Sequence, residues 1–304
     1  MKRDFISIFD YSKEEIEGIF NLTLELKEKT RRGEKHHLCQ GKTMAMIFAK
    51  PSARTRISFE TGMYQLGGFA LYLAPGDIGI GKREAIKDVA RVVSRYNDII
   101  MARLFDHQHI LELAEYSSVP VINGLTDYNH PCQILADAFT ILEKKGNLND
   151  IKLTYVGDGN NVANSWINLA ARVPMNLVIC TPSGYEPDKA TFNRAREQRI
   201  SSIEIIQEPL QAVSGADIVY TDVWASMGQE SEAQKRRVAF KNYQINVNLM
   251  RHAKDNAYIM HCLPAHRGEE ITDDVLDSPQ SIVFDEAENR MHVQKAIIVK
   301  LLED

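Results

Sequence analysis

Short apolar runs alternate with segments of helical periodicity along most of the chain. The periodic segments predict helices, and the capping pair Ser12 and Glu15 marks the start of the first helix, which should end near Arg31. The apolar runs have the length and composition of buried strands. They lie at Lys42–Ala49, Leu71–Ala74, Asp98–Ala102, Val119–Asn123, Ile151–Val156, Leu177–Thr181, Ile203–Ile206, Ile218–Thr221 and Tyr258–His261. This alternation predicts parallel sheets that are covered by helices on both faces.

The alternation falls into two blocks, and a length of 304 residues suits two domains better than one. We expect an α/β protein with two doubly wound parallel-sheet domains, at residues 1–148 and 149–285, and with the active site in the cleft between them. A helix from Pro131 to about Lys145 should join the two blocks. The last helix, over residues 286–304, should pack back on the first domain.

Net charge and cysteine usage narrow the class of protein. A formal net charge of −5 argues against general binding to nucleic acid or anionic membranes, which requires a basic surface. None of the four cysteines lies in a CxxC pair, which favours a reducing compartment. The sequence has no signal-like start and no apolar run of about 18 residues, so we predict a cytoplasmic location.

The segment from Lys50 to Arg56 brings hydroxyls and arginines to the point where the first strand should give way to a helix. Free backbone N–H groups and the helix dipole make such a point attractive to anions. Ser52 and Thr55 can donate hydrogen bonds, and Arg54 can form a paired hydrogen bond with phosphate or carboxylate. The alternative is a solvated basic helix start. Ligands of open α/β sheets bind at the carboxyl ends of strands, which favours an anion site.

Arg103 and the stretch His130–Gln133 follow later strands. Arg103 could converge on the same anion, although by itself it could equally be a surface charge. His130 lies where the linking helix should be capped, and Pro131 suits the first helical position. The His130 imidazole and the Gln133 amide could both reach a carbonyl oxygen and stabilise charge that develops there. A structural cap with a buried histidine fits the pattern equally well.

The stretch Gly157–Asn161 follows a strand and precedes a helix, as the glycine-rich loop of dinucleotide-binding proteins does. Val162 stands where the third glycine of that motif would be, and Cys180–Pro182 provides no acidic residue for a ribose. A nicotinamide cofactor is therefore disfavoured. Asn160 and Asn161 could instead hold a small polar substrate.

Two further strands end in polar loops. Asp222 suits a substrate ammonium and Ser226 suits nearby polar atoms, although a loop with a helix cap is the alternative.

Cys262, between His261 and His266, could suggest zinc, but the spacing matches no usual zinc pattern. A nucleophilic Cys262 would require a basic partner and a covalent intermediate. A thiol that forms a hydrogen bond in the pocket is the third possibility.

Three short motifs occur in order along the chain. They are Ser-x-Arg-Thr-Arg at Ser52–Arg56, His-Pro-x-Gln at His130–Gln133 and His-Cys-Leu-Pro at His261–Pro264. Asp222 and the stretch Ser226–Gly228 lie between the last two. Together these segments resemble the aspartate/ornithine transcarbamylase family over nearly the whole chain. The Ser-Met-Gly stretch is similar to that of family members that use ornithine rather than aspartate, putrescine or acetylated ornithine.

The resemblance implies a role for each motif residue. It implies that carbamoyl phosphate is bound by Ser52, Ala53, Arg54, Thr55, Arg103, His130, Gln133, Cys262, Leu263 and Arg290. It implies that ornithine is bound by Asn161, Asp222, Ser226 and Met227. The catalytic residues would be Arg54, Arg103, His130 and Cys262, and Cys262, Leu263 and Arg290 should approach the carbamoyl group from the second domain. The family uses no metal and no organic cofactor, and it usually forms a homotrimer or a multiple of trimers.

The implied reaction transfers the carbamoyl group of carbamoyl phosphate to the δ-amine of ornithine, giving citrulline and phosphate in arginine metabolism. The deprotonated amine attacks directly, so no protein nucleophile is required. Arg54, Arg103 and His130 would stabilise the oxyanion of the tetrahedral intermediate. Alignment of the two substrates would supply much of the remaining rate enhancement. We expect domain closure to follow carbamoyl phosphate binding, because the implied ligands come from both domains.

One position departs from the family pattern. Many relatives carry a hydrogen-bonding residue where this chain has Gly79, and that residue can reach the phosphate of a neighbouring subunit. We expect this contact to be absent, or to be made by Lys82 or another group, and carbamoyl phosphate binding to be weaker as a result. Competing hypotheses are a carbamoyltransferase with another acceptor, a non-catalytic binder that regulates a partner, and a dinucleotide-binding dehydrogenase.

Overall fold

The computed structural model of the chain describes residues 2–80, 83–225 and 230–303. Backbone contacts divide it into two compact units. Unit 1 contains the residues up to Phe139 together with those from Glu288 onward, and unit 2 contains Thr140–Ala287. In each unit the described strands pair in parallel and alternate with helices, which confirms the predicted α/β class with two parallel sheets.

Unit 1 is built around a parallel sheet with the strand order β2-β1-β3-β4. Its strands are β1 Thr43–Phe48, β2 Phe69–Leu73, β3 Ile99–Arg103 and β4 Val121–Leu125. Its helices are α1 Lys13–Arg31, α2 Ala53–Gln65, α3 Pro75–Ile78, α4 Ile86–Tyr96, α5 His107–Tyr116 and the first part of α6 Pro131–Lys145. Every residue of β3 is buried, as expected of a strand inside a parallel sheet.

Two predicted helix starts in this unit are confirmed. Ser12 and Glu15 form the capping box of α1, because the Ser12 hydroxyl accepts from the Glu15 N–H at 3.3 Å and the Glu15 carboxylate accepts from the Ser12 N–H at 2.7 Å. The helix α6 begins at Pro131, where a missing N–H costs no helical hydrogen bond.

Unit 2 is built around a second parallel sheet with the order β7-β6-β5-β8-β9. Its strands are β5 Lys152–Val156, β6 Asn176–Cys180, β7 Ser202–Ile206, β8 Ile218–Thr221 and β9 Tyr258–His261. Its helices are the rest of α6, then α7 Asn161–Ala170, α8 Lys189–Glu197, α9 Pro209–Val213, α10 Ala233–Phe240, α11 Val247–Met250 and α12 Asp273–Leu276. Tyr155, Trp166 and Tyr220 are fully buried, and the rings of Tyr155 and Tyr220 stack 5.8 Å apart.

The last helix, α13, runs over Val283–Glu303 and passes from unit 2 into unit 1. The prediction that it begins at Glu286 is wrong by three residues, because the Glu286 N–H already donates to the Ile282 carbonyl at 3.0 Å. The acidic side chains that suggested a start at Glu286 do lie in the first turn, where the helix dipole favours them. Among the described residues, no helix is both long enough and apolar enough to cross a membrane.

Each sheet has one point at which successive connections leave in opposite directions. In unit 1 this point lies between β1 and β3, since β2 lies on the other side of β1. In unit 2 it lies between β5 and β8, since β6 lies on the other side of β5. Open α/β sheets bind ligands at the carboxyl ends of the strands at such a point. A ligand site is therefore expected at the loops after β1, β3, β5 and β8.

Candidate active site

The end of β3 and the loop after β1 meet at the switch point of unit 1. Phe48 pairs with Arg103, and the Ala49 N–H donates to the Arg103 carbonyl at 2.9 Å. Ser52 then caps α2 in an extended conformation, and its hydroxyl accepts from the Thr55 N–H at 3.4 Å. The N-terminus of α2 thus lies at the carboxyl edge of the sheet, where its dipole attracts anions.

The hydroxyl of Thr55 lies between two guanidinium groups. Nη1 of Arg103 is 3.2 Å from Thr55 Oγ1, and Nη2 of Arg290 is 2.7 Å from it. Thr55 is fully buried, and the two arginines are 6% and 5% exposed. Two guanidinium groups at a helix N-terminus concentrate positive charge in a geometry that suits phosphate oxygens. The possibility that Arg103 is a surface charge is therefore wrong.

His130 directly precedes α6 and is buried. Burial, and then the charges of Arg290 and Arg103, hold the pKa of His130 well below its usual value. The imidazole is therefore neutral at pH 7. A neutral imidazole can donate one hydrogen bond to a carbonyl oxygen without first carrying a positive charge. His130 is suited to stabilise negative charge on an oxygen held beside the two arginines.

Gln133 lies in the first turn of α6 and is buried. Its Nε2 donates to Oδ1 of Asp137 at 2.8 Å, one turn further along the helix. Sequence reasoning identified Gln133 but missed Asp137. The signal was an acidic residue four positions after the glutamine, on the same face of a helix.

Ala53 and Arg54 lie in the first turn of α2 and are exposed. Arg54 therefore does not belong to the buried group around Thr55, although its place at the N-terminus of α2 leaves it next to the same loop. Arg56 contributes to the outer surface, since its Nε is 3.1 Å from Glu60 and its guanidinium covers the Tyr72 ring.

Arg290 reaches Thr55 because α13 lies against α2. The expectation that Arg290 approaches from the second domain is wrong, since residues from Glu288 onward belong to unit 1. Gly62 permits the close approach of the helices, because an added Cβ there would be 3.2 Å from Lys295 Cγ. Lys295 Nζ also donates to Gln65 Oε1 at 2.8 Å, so two polar contacts fix α13 along α2.

The switch point of unit 2 brings Asn160 and Asp222 together. Asn160 caps α7, its Oδ1 accepting from the Val162 N–H at 2.9 Å, and its Nδ2 donates to Asp222 Oδ2 at 2.8 Å. Cys262, after β9, donates its thiol hydrogen to Asp222 Oδ1 at 3.1 Å. Asp222 is 7% exposed, and its carboxylate is held by side chains from the loops after β5 and β9. Of the possibilities for Cys262, this geometry favours a hydrogen-bonding thiol.

His261 organises the loop that carries Cys262 and Leu263. The Leu263 N–H donates to His261 Nδ1 at 2.9 Å, and His261 Nε2 is 3.1 Å from a Glu270 carboxylate oxygen. Nδ1 is thus the acceptor and Nε2 carries the proton. Leu263 has a φ of +55°, which is unusual for a branched residue and needs such support. The backbone N–H of His261 donates to a carboxylate oxygen of Glu286 at 3.1 Å.

A buried ion pair supports the loop that begins at Asp222. Arg236 Nη1 is 2.8 Å from Asp158 Oδ2 and 3.0 Å from the Trp224 carbonyl oxygen. Burial raises the pKa of Asp158 to about 6, although Arg236 opposes this shift. Sequence reasoning missed Arg236, because its distance from Asp158 along the chain left no local signal.

The structure does not describe every residue that the motifs single out. Ser226 and Met227, together with Gly228, lie outside the described residues, and so does Lys82. Asn161 is the first residue of α7, and its carbonyl accepts from the Ser165 hydroxyl at 2.7 Å. Gly79 follows α3 with a φ of +62°.

Two groups of side chains in the described part of the chain have the composition of metal ligands. One contains Asp222, His261 and Cys262, and the other contains His266, Glu269 and Glu270. In the first group both ring nitrogens of His261 already form hydrogen bonds, to Leu263 and Glu270. That group is therefore better suited to hold a loop than to bind an ion.

Both halves of the chain match known protein families. Residues 3–143 match the family described as aspartate/ornithine carbamoyltransferase, carbamoyl-P binding domain. Residues 149–301 match the family described as aspartate/ornithine carbamoyltransferase, Asp/Orn binding domain.

Individual relatives match over almost the full length. The chain is 58% identical to the chloroplastic ornithine carbamoyltransferase of Pisum sativum, over 99% of this chain and 80% of the relative. It is 53% identical to the ornithine carbamoyltransferase of Thermococcus kodakarensis, over 99% of this chain and 96% of the relative. The solved structure of ornithine carbamoyltransferase from Pyrococcus furiosus has a TM-score of 0.94 at 52% identity, and the match covers 98% of this chain and 96% of that one. The chain belongs to the aspartate/ornithine carbamoyltransferase family.

Proposed function

We propose that this protein is a carbamoyltransferase that transfers the carbamoyl group of carbamoyl phosphate to the δ-amine of ornithine, giving citrulline and phosphate in arginine metabolism. The observation that carries the proposal is the pair of guanidinium groups of Arg103 and Arg290, held on the Thr55 hydroxyl at the switch point of unit 1. The two guanidinium groups provide the positive charge that a phosphate group requires. The matched relatives are named ornithine carbamoyltransferases.

The first substrate would bind to unit 1, in the domain that we place at residues 1–148. Its phosphate would lie against the N-terminus of α2, with Ser52, Ala53, Arg54 and Thr55 around it. Arg103 and Arg290 would contact the phosphate oxygens. The neutral His130 would donate a hydrogen bond to the carbonyl oxygen, and Gln133 would contact the carbamoyl nitrogen.

Ornithine would bind to unit 2, in the domain that we place at residues 149–285. Asp222 is a suitable partner for its α-ammonium group, because Asn160 and Cys262 hold the carboxylate in place. Asn161, Ser226 and Met227 would complete the contacts to ornithine. Cys262 and Leu263 would contact the carbamoyl group from the loop that His261 supports.

The chemistry follows from these positions. The neutral δ-amine attacks the carbamoyl carbon, and the C=O electrons move onto the oxygen. Arg103 and His130 stabilise that oxyanion. Arg54, which is exposed in the first turn of α2, adds a third stabilising group. The intermediate then expels phosphate, and the phosphate accepts the proton of the attacking nitrogen. Neither a metal nor an organic cofactor takes part in these steps.

We also propose that the protein is a cytoplasmic homotrimer or a multiple of trimers. An exposed apolar surface in unit 1 supports self-association: Ile57, Tyr64 and Phe69 are 61%, 78% and 65% exposed, on α2 and on the edge strand β2. The four cysteines are free thiols, which suits a reducing compartment.

The experiment incubates the purified protein with carbamoyl phosphate and, separately, with ornithine, putrescine, aspartate and N-acetylornithine. We expect phosphate release and citrulline formation with ornithine alone, and loss of both in Arg103→Gln. Product from another amine would overturn the acceptor assignment and leave the carbamoyl phosphate half intact. A folded protein that forms no product with any acceptor would favour the non-catalytic binder.

A further inference from the structure

A fully buried carboxylate lies directly behind one of the proposed substrate contacts. Asp137 is on the second turn of α6 with an exposed fraction of 0%, and Gln133 is on the first turn with 1%. Gln133 Nε2 donates to Asp137 Oδ1 at 2.8 Å. A buried carboxylate costs free energy, so its position beside Gln133 calls for an explanation.

The explanation lies in the two polar atoms of the glutamine amide, of which one donates and the other accepts hydrogen bonds. A glutamine side chain has a donor nitrogen and an acceptor oxygen of almost the same size, and packing alone does not decide which atom points where. A carboxyl oxygen accepts hydrogen bonds from N–H groups. Asp137 accepts the hydrogen bond of Nε2 and so holds this atom towards itself, and the amide oxygen of Gln133 lies on the other edge of the planar amide group.

We propose that Asp137 is a positioning residue, which fixes the amide orientation of Gln133 and so selects a carbamoyl donor over an acyl donor of the same shape. This inference rests on the proposed function, which places the carbamoyl group beside Gln133. The carbamoyl group carries an NH₂ donor where an acetyl group carries a methyl. An acceptor oxygen at that place binds the NH₂, whereas a methyl leaves the buried oxygen without a hydrogen bond.

Acetyl phosphate is the probe that isolates this contact. It has the same phosphate and carbonyl groups as carbamoyl phosphate, and it differs only in the methyl. Direct binding of both ligands, measured by calorimetry without ornithine, gives a selectivity ratio that does not require turnover. In the wild type we expect carbamoyl phosphate to bind at least about tenfold more tightly, the size of one lost hydrogen bond with its desolvation.

The decisive variant is Asp137→Asn, which keeps the size of the side chain but can both donate and accept. Gln133 is then free to turn, so carbamoyl phosphate should weaken about tenfold while acetyl phosphate and inorganic phosphate bind as in the wild type. Citrulline formation should show a raised KM for carbamoyl phosphate and an unchanged KM for ornithine. Glu143→Gln, an exposed acid on the same helix, is the matched control and should change none of these values.

Two further variants separate positioning from a structural role. Gln133→Met should remove the selectivity to the same extent, and adding Asp137→Asn to it should cause no further loss, because the two residues act through one contact. If Asp137→Asn does not fold, Asp137→Leu tests the same point without a buried polar group.

The outcomes are distinct. Equal weakening of carbamoyl phosphate and acetyl phosphate in the variants would overturn the proposal and assign Asp137 a structural role. Unchanged selectivity would overturn it as well. Failure of the proposed function would show differently, as a wild-type protein that binds neither ligand or forms no citrulline.

Discussion

The hydroxyl of Thr55 accepts a 2.7 Å hydrogen bond from Arg290, although 235 positions separate the two residues along the chain. The contact joins the start of α2 to the last helix, and Arg103 meets the same oxygen from β3. One buried hydroxyl thus holds two cationic side chains that come from separate parts of the sequence. Their convergence makes the candidate anion site a property of the fold and not of a single motif.

Replacing Thr55 with valine should weaken carbamoyl phosphate binding by about tenfold to a hundredfold. The substitution keeps the shape of the side chain but leaves two buried guanidinium donors without this acceptor, at a cost of about 1–3 kcal/mol. The measurement is the dissociation constant of carbamoyl phosphate, with Thr55→Ser as the control that keeps the hydroxyl. A valine variant that binds as tightly as the serine variant would show that Thr55 does not organise the arginines.

His130 should show no protonation between pH 6 and pH 8. Its folded pKa is lowered, first by burial and then by Arg290 and Arg103, so the imidazole stays neutral through this range. The imidazole signals of His130, assigned by comparison with His130→Gln, should not move in an NMR titration of the free protein. A midpoint near 6.5 would show that the ring is charged when the substrate arrives.

The sequence predicts each strand to within two residues, because buried parallel strands are short apolar runs with polar loops at both ends. The helices α3, α8, α9, α10, α11 and α12 were not predicted. Four of them have only four or five residues, which is too few to show helical periodicity, and α8 and α10 have nine and eight residues.

The residues of the candidate site were predictable where one short stretch of chain contains both suitable side chains and a strand-to-helix loop. Ser52 and Thr55 lie in such a stretch, since a strand-to-helix loop with hydroxyls indicates an anion site on its own. Arg236 and Asp137 could not be found in this way. Arg236 acts through Asp158, which is remote in sequence. The spacing of four residues places Asp137 beside Gln133 on one helix face, but it does not reveal which atom of the Gln133 amide Asp137 contacts.

Replacing Arg236 with methionine should raise the KM for ornithine about tenfold or more and leave the KM for carbamoyl phosphate nearly unchanged. Arg236 holds the Trp224 carbonyl and the Asp158 carboxylate, so its loss leaves a buried charge unpaired and releases the loop that begins at Asp222. Steady-state kinetics with each substrate varied in turn would measure the effect. The neighbouring Arg237→Met is the matched control, because Arg237 pairs with Glu269 on the exposed surface. Equal increases in both KM values would contradict the prediction.

The folded state should lose stability as the pH falls below about 6.5, and His292 should account for part of the loss. Burial, and then the charges of the neighbouring cations Lys295, Lys27 and Arg31, lower its pKa from 6.5 to about 3. A base with a depressed pKa binds its proton more readily in the unfolded chain, so stability present above pH 6.5 declines towards pH 3. Between pH 7 and pH 5 this amounts to about 2 kcal/mol.

The measurement is the free energy of unfolding by urea at several pH values. The slope of the unfolding free energy against pH gives the number of protons that the chain takes up on unfolding. In His292→Gln this number should fall by nearly one between pH 6 and pH 4. His252→Gln, at an exposed histidine, should keep the slope of the wild type. An unchanged slope in His292→Gln would show that this ring is not the group that titrates.

Gly79 offers a test of the expectation that a phosphate contact is lost at this position, provided that the substituted residue tolerates the backbone conformation. Its φ of +62° disfavours most side chains, and an added Cβ would lie 2.9 Å from the Cβ of Arg83. Gly79→Gln therefore combines a new amide with strain, whereas asparagine tolerates this conformation and carries the same amide. We expect Gly79→Asn to lower the KM for carbamoyl phosphate by several-fold relative to Gly79→Ala, which carries the strain without the amide. Equal KM values in the two variants would show that an amide at this position reaches no phosphate, and that another group makes the contact or none is made.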